Sequence, residues 1–139
     1  MIAVSDTNIF MAALLNPSGA PAKIRRRWRQ RQFEVLISDA ILDEYSDVFS
    51  HSLIIPEIDT QLLLDELKSF SRRTKIGGTL RVCKDSDDDK FLETAVEGGA
   101  DFLVTKNLKH FPRKSYGGVR IVNVANFLKA LERHSLSSS

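Results

Sequence analysis

The chain alternates short apolar runs with longer stretches in which apolar residues recur at helical spacing. Ile2–Ser5 is a compact run that ends on Asp6 and reads as a buried strand. Thr7–Leu15 carries Ile9, Phe10, Ala13 and Leu14 at helical spacing, and Asn16-Pro17-Ser18-Gly19 stops it. A second helix is predicted over Ala20–Arg31, with Pro21 early in it and Ile24 and Trp28 on one face. Phe33–Ile37 is strand-like. Ser38 or Asp39 then caps a helix that runs through Phe49, and His51–Pro56 is a break. A long amphipathic helix is expected from Thr60 to about Lys75, with Leu63, Leu64, Leu67 and Phe70 inward, ended by Gly77-Gly78. Leu80–Cys83 reads as a weak strand and Ser86–Gly98 as a helix. Phe102–Thr105 and Val119–Val122 read as buried strands, and Ala125–Arg133 as the last helix.

Apolar strands alternating with helices predict βαβ units and a parallel sheet covered on both faces. The expected fold is a single three-layer α/β domain over residues 1–133. Its centre is a parallel sheet of about five strands, and residues 134–139 form a frayed tail. No internal repeat or linker interrupts it. In such folds ligands sit beyond the carboxyl ends of the strands. Asp6 follows the first strand, and Asp39 follows the second, shortly before Glu44. The acidic cluster at 85–89 follows the weak strand, and Lys106 and Asn107 follow Phe102–Thr105. Four segments are thus expected to converge at one edge.

Composition narrows the class. With 139 residues, 42% of them hydrophobic and 27% charged, the chain has the balance of one globular domain. No apolar run approaches the roughly 18 residues of a membrane helix. An acid stands at position 6 with no basic leader before it, which argues against a signal peptide. Cys83 is the single cysteine, so no internal disulfide is possible; it reads as a small core residue in a reducing, cytoplasmic setting. The net charge of +2 conceals segregation. Residues 32–67 hold nine acids and no Lys or Arg, and residues 85–101 hold seven acids and one Lys, while the segments around them are basic. An anionic pocket within a basic surface would suit a metal ion and a polyanion.

The acids differ in what local structure asks of them. Asp6 stands where an N-cap is favoured and equally where a strand-end ligand would stand. On a helical wheel Ile41, Leu42, Tyr45, Val48 and Phe49 form the apolar arc. Glu44 borders it, whereas Asp43 and Asp47 lie further out. Asp85, Asp87, Asp88 and Asp89 put four acids in five residues, more than one helix cap needs, and a divalent cation is the usual reason to tolerate that. The wheel does not choose between Asp88 and Asp89. An EF-hand is excluded, because Lys90 and Val96 stand where the loop needs Gly and Glu. A glycine-rich phosphate loop, a nucleophile elbow and zinc spacing are all missing from the sequence. The basic stretch bearing Arg25, Arg26 and Arg29 around Trp28, together with Lys106, Lys109 and His110, supplies candidate phosphate contacts.

The run Val4-Ser5-Asp6-Thr7-Asn8-Ile9-Phe10, then Leu42-Asp43-Glu44, then Asp85 through Leu92, then Gly99-Ala100-Asp101-Phe102-Leu103-Val104-Thr105, resembles the PIN-domain nucleases. It is most similar to their VapC-like branch of toxin–antitoxin toxins, and the resemblance covers residues 2 to about 128. It implies a Rossmann-like parallel sheet and an acidic pocket for Mg²⁺ or Mn²⁺. The family's first acid matches Asp6 and its helical glutamate matches Glu44. Its third acid, sixteen residues before a strand-end threonine, matches Asp89 against Thr105. Thr7, Asn8, Asp85 and Thr105 would support the pocket. The fourth acid of the family falls on Asn107, whose carbonyl can still ligate a hard cation but brings one less charge; Asp85, Asp87 or Asp88 is then a substitute ligand. The resemblance further implies hydrolysis of RNA phosphodiesters, a homodimer and an antitoxin protein as partner, with no membrane. The alternatives are a non-catalytic RNA- or partner-binding PIN-like module, favoured by Asn107, and a phosphatase or receiver-type acidic pocket, disfavoured because no Asp-x-Asp stands at the first strand end.

Overall fold

The computed structural model describes residues 1–137, the last by its backbone alone. In chain order its elements are β1 (Ile2–Ser5), α1 (Thr7–Leu15), α2 (Ala20–Arg29), β2 (Glu34–Ile37), α3 (Asp39–Ser50), α4 (Glu57–Phe70) and β3 (Arg72–Arg73). There follow α5 (Ser86–Glu97), β4 (Phe102–Val104), a 3₁₀ turn at Leu108–His110, β5 (Ser115–Tyr116), β6 (Val119–Val122) and α6 (Val124–Ser137). The six strands form one sheet in the order β3-β2-β1-β4-β6-β5. Every neighbouring pair is parallel except β5–β6. Gly117 and Gly118, both at positive φ, make the two-residue turn of that hairpin, a backbone that L side chains resist.

Both faces of the central strands are buried, as parallel strands require. Ala3 is the register partner of both Val35 and Phe102, so these three share a face. On that face the Phe102 ring meets Phe127 of α6, with centroids 5.6 Å apart. Leu36 points to the other face, where it lies against Gly98 at the end of α5, so closely that a Cβ there would come within 2.4 Å of it. Helices therefore cover both sides, in three layers. No helix among the described residues is long and apolar enough to cross a membrane.

The chain leaves β1 in one direction, towards β2 and β3, and leaves β4 in the other, towards β6. The crevice between the carboxyl ends of β1 and β4 is thus the switch point where ligands collect in doubly wound sheets. Asp6 and Thr105 lie on its two sides.

Three expectations about elements need correction. The long helix starts at Glu57 and ends at Phe70 rather than running from Thr60 to Lys75, because Ser71 turns extended and Arg72–Arg73 pair beside Leu36–Ile37. The fifth parallel strand is therefore β3, and Leu80–Cys83 is no strand. Its backbone donors are taken by acids of α5: Leu80 N–H donates to Glu93 Oε1 (3.2 Å), and Val82 and Cys83 N–H donate to Asp89 Oδ1 (3.0 and 2.8 Å). With those donors engaged, no ladder is needed to satisfy them. At the far end α6 continues to Ser137 rather than stopping at Arg133, and the remainder of the expected tail, 138–139, lies outside the described residues.

Candidate active site

The end of β1 delivers Asp6 into the switch-point crevice, and its carboxylate joins three pieces of chain. Oδ1 accepts the Asn8 N–H at 2.8 Å and so caps α1. Oδ2 accepts the Thr105 hydroxyl at 2.6 Å, bridging from β1 to the end of β4. The Thr105 oxygen in turn accepts the Asn107 N–H at 3.0 Å. Asp6 and Thr105 are both buried, at 8% and 0% exposure. The expected cap and the expected strand-end position are thus both occupied by one side chain.

Ser38 caps α3, accepting the Ile41 N–H, which decides between the two candidate caps. The helix then turns Tyr45 and Phe49 into the core, leaves Glu44 half-buried and leaves Asp43 and Asp47 exposed, as the wheel indicated. Thr7, next to Asp6, donates its hydroxyl to Glu44 Oε2. The Lys90 ammonium of α5 donates to Glu44 Oε1 at 2.8 Å. The Tyr45 hydroxyl donates to the Ser5 carbonyl. Burial, and then the charges of Asp6 and Glu44, hold this phenol well above its ordinary value, so it stays a neutral donor.

Asp85 caps α5 by accepting the Asp87 N–H at 3.0 Å and remains exposed. Asp88 and Asp89 follow different courses. Burial works against the charge of Asp89, but the N–H groups of Cys83 and Val82 outweigh it and hold the carboxyl below its ordinary value. Asp88 receives no such help. Its Oδ2 is buried without a hydrogen-bond partner, and His110 Nδ1 stands 3.2 Å away, close enough for an ion pair but not aligned for a hydrogen bond. Burial, with the Asp85 and Asp6 charges, pushes Asp88 above its ordinary value despite the opposing pull of His110. Burial and the Asp89 carboxylate push the Cys83 thiol up to about 12, in keeping with an inert cysteine.

As the side chains stand, no three His, Cys, Asp or Glu among the described residues form a group that could hold an ion. Asp6 and Glu44 are joined through Thr7, whereas Asp89 is engaged by the 82–83 backbone. The donor chemistry nevertheless fits a hard divalent cation: carboxylates are its preferred ligands, and the buried Asp88 Oδ2 has the His110 ring as its near neighbour, at 3.2 Å.

The basic residues divide into two sets. Arg25 and Arg29 both pair with Glu66 of α4, and Arg26 Nη1 donates to the Pro17 carbonyl, so these charges are partly engaged within the chain although Arg26 and Arg29 stay exposed. Lys106, Lys109 and His110 are exposed just past β4, on the same edge as Asp6 and Asp88. A cleft of about 480 Å³, walled by Trp28, Phe33 and Phe70 with Arg29, Arg31 and Glu66, opens beside the start of β2, at the opposite end of that strand from the acids. It holds none of the candidate ligands.

Sequence reasoning missed Lys90 as a member of the site. Its one signal was position: it is the lone base in the acidic block 85–101. The pairing with Glu44 spans 46 residues and has no local signature.

The PIN domain family profile matches residues 3–109. An uncharacterized protein of Methanocaldococcus jannaschii is 32% identical over 105 residues, which cover 70% of this chain and 65% of that protein, so the chain spans about two thirds of this relative's length. The crystal structure of VapBC2 from Rickettsia felis, bound to a DNA fragment from its promoter, matches with a TM-score of 0.56 at 20% identity, over 88% of this chain and 98% of that one. The first of these comparisons spans most of the chain and includes Asp6, Glu44, the 85–89 cluster and Thr105, and on that basis the chain belongs to the PIN domain family.

Proposed function

We propose that the chain is a divalent-metal-dependent ribonuclease, and that it serves as the toxin of a type II toxin–antitoxin pair. Membership of a family of nucleases supports the first part; the likeness of fold to a chain of the VapBC2 complex supports the second. The observation that carries the reading is Asp88 at the start of α5, whose buried Oδ2 has no hydrogen-bond partner beyond the ion-pair approach of His110 and which feels the charges of Asp85 and Asp6. An arrangement of that kind is costly unless a cation neutralises it.

In this reading Asp6 and Asp88 hold Mg²⁺ or Mn²⁺, with Glu44 as the third acid and the Asn107 carbonyl at the rim. Asp89, matched by family spacing, anchors residues 82–83 of the loop that borders the pocket, while Glu93 holds residues 78 and 80. The ion, when bound, supplies charge neutralisation for the phosphoryl oxygens and a more acidic water. Thr105 and the Asn8 N–H fix the Asp6 carboxylate, and Thr7 fixes Glu44. Lys106, Lys109 and His110 grip the phosphates of an unpaired RNA strand, where sequence is most readily read. A second copy of the chain and an antitoxin protein are the partners this reading brings.

The test offers single-stranded RNA, single-stranded DNA and a generic phosphate monoester with Mn²⁺ and then with excess EDTA. Cleavage of RNA alone, abolished by EDTA, is the expected result. Turnover of the monoester without RNA cleavage would favour a phosphatase. RNA binding with no cleavage and no Mn²⁺ uptake would favour a non-catalytic binding module, a reading that Asn107 in an acid's place supports.

A further inference from the structure

Glu44 differs from the other acids of the pocket in pairing with a lysine ammonium. Oε1 accepts the Lys90 ammonium at 2.8 Å and Oε2 accepts the Thr7 hydroxyl, so the protein itself engages both oxygens. The pair is sheltered, with the two side chains 25% and 22% exposed, which strengthens it beyond a surface ion pair. Lys90 follows Asp88 and Asp89 directly on α5, and α3 packs against α5, so the ammonium enters the pocket from the same helix turn that brings the acids. Asp88, two residues earlier, keeps an oxygen without a donor. In the pocket Asp6 thus accepts only neutral donors and Asp88 faces the His110 ring, whereas Glu44 is paired with a lysine ammonium.

From this geometry we propose that Lys90 is an internal counterion that competes with the divalent ion for Glu44, a positioning residue that sets how tightly the pocket takes metal. The inference rests on the metal-dependent reading above. A hard cation reaching Glu44 must share or displace the ammonium, because an ammonium and a divalent ion repel and both seek the same carboxylate. Free of Lys90, Glu44 can turn to the ion and add a full negative charge to its ligands. With Lys90 in place, that charge is already balanced.

The test is calorimetric titration of Mn²⁺ into four proteins: the native chain, Lys90→Met, Glu44→Gln and the double variant. Lys90→Gln, a polar replacement of similar length, repeats the second arm should the methionine variant fold poorly, and thermal unfolding checks each protein. Lys90→Met is expected to bind Mn²⁺ about tenfold more tightly, since a competing positive charge beside Glu44 is lost. Glu44→Gln is expected to bind more weakly, and adding Lys90→Met to it should restore nothing, because the lysine acts through Glu44. Unchanged or weaker binding by both lysine variants would reduce Lys90 to a structural ion pair and overturn the proposal. An equal gain in the presence and absence of Glu44 would overturn it too, leaving only a through-space charge effect. Should none of the proteins take up Mn²⁺, the metal-dependent reading itself fails and this inference falls with it.

Discussion

Asp89 accepts two backbone N–H groups, while its neighbour Asp88 has a buried oxygen that accepts none. Periodicity could not rank them, since Asp88 projects within the helix's apolar arc and Asp89 sits at its edge. Family spacing favoured Asp89, yet the partners that distinguish them, the Val82 and Cys83 amides, come from a loop whose path no local pattern encodes. Their different surroundings have a measurable consequence. Asp89→Ala removes both N–H bonds and is expected to lower stability by about 1.5–3 kcal/mol, the range for hydrogen bonds to a charged group. Asp88→Ala removes a poorly compensated charge and should leave stability within about 0.5 kcal/mol of native or raise it. Urea unfolding without added metal measures both. A larger loss for Asp88→Ala than for Asp89→Ala would show that the roles are reversed. Destabilising charge retained at a pocket is what function, rather than folding, selects.

Among the elements, the strands and most helices were legible because their patterns are local. Ile2–Val4 is apolar throughout, and Ile41, Tyr45 and Phe49 recur at helical spacing on α3. The weak strand was misread because Leu80 and Val82 carry the apolar pattern of a strand while their N–H groups answer to Glu93 and Asp89 across a loop. The arginine helix was read by its charge, whereas α4 fixes its meaning. Arg25 and Arg29 both pair with Glu66, so α2 is tied to α4 and less of its charge remains for a polyanion. Burial opposes the charge of Glu66, but the Arg29 and Arg25 guanidiniums outweigh it and hold the carboxyl below its ordinary value of 4.5. A depressed carboxylate contributes stability that is present above the ordinary value and is lost as pH falls through the folded one. Glu66→Gln is therefore expected to lower stability by about 1–3 kcal/mol at neutral pH. The gap from the native chain should shrink on acidification below about pH 4.5. Urea midpoints from pH 7 down to pH 3 would measure this; a gap constant with pH would show that the charge of Glu66 is not what binds the two helices.

At the scale of the whole molecule, strand order turns a list of acids into a site. The parallel sheet and its covered faces could be read from alternation alone, but the switch point between β1 and β4 depends on which strands become neighbours, and the hairpin of β5 with β6 left only its Gly117-Gly118 turn as a trace, which the apolar pattern did not reveal. With that order in place, Asp6 and Thr105 are 99 residues apart and hydrogen-bonded, and the acidic start of α5 lies beside them. Asn107 and the Lys90–Glu44 pair distinguish this pocket from a plain cluster of acids. Its central claim is that the Asp6 pocket binds a divalent ion and hydrolyses RNA with it. The most direct measurement is the rate of single-stranded RNA cleavage as Mn²⁺ is titrated, for the native chain and for Asp6→Asn, with urea unfolding showing that both are folded. The account predicts a saturable rise with Mn²⁺ for the native chain. It predicts a loss of about 100-fold or more for Asp6→Asn, since removing even a partner of a metal ligand lowers activity roughly 10–100-fold. Equal cleavage by the two folded proteins, or cleavage indifferent to Mn²⁺, would contradict it.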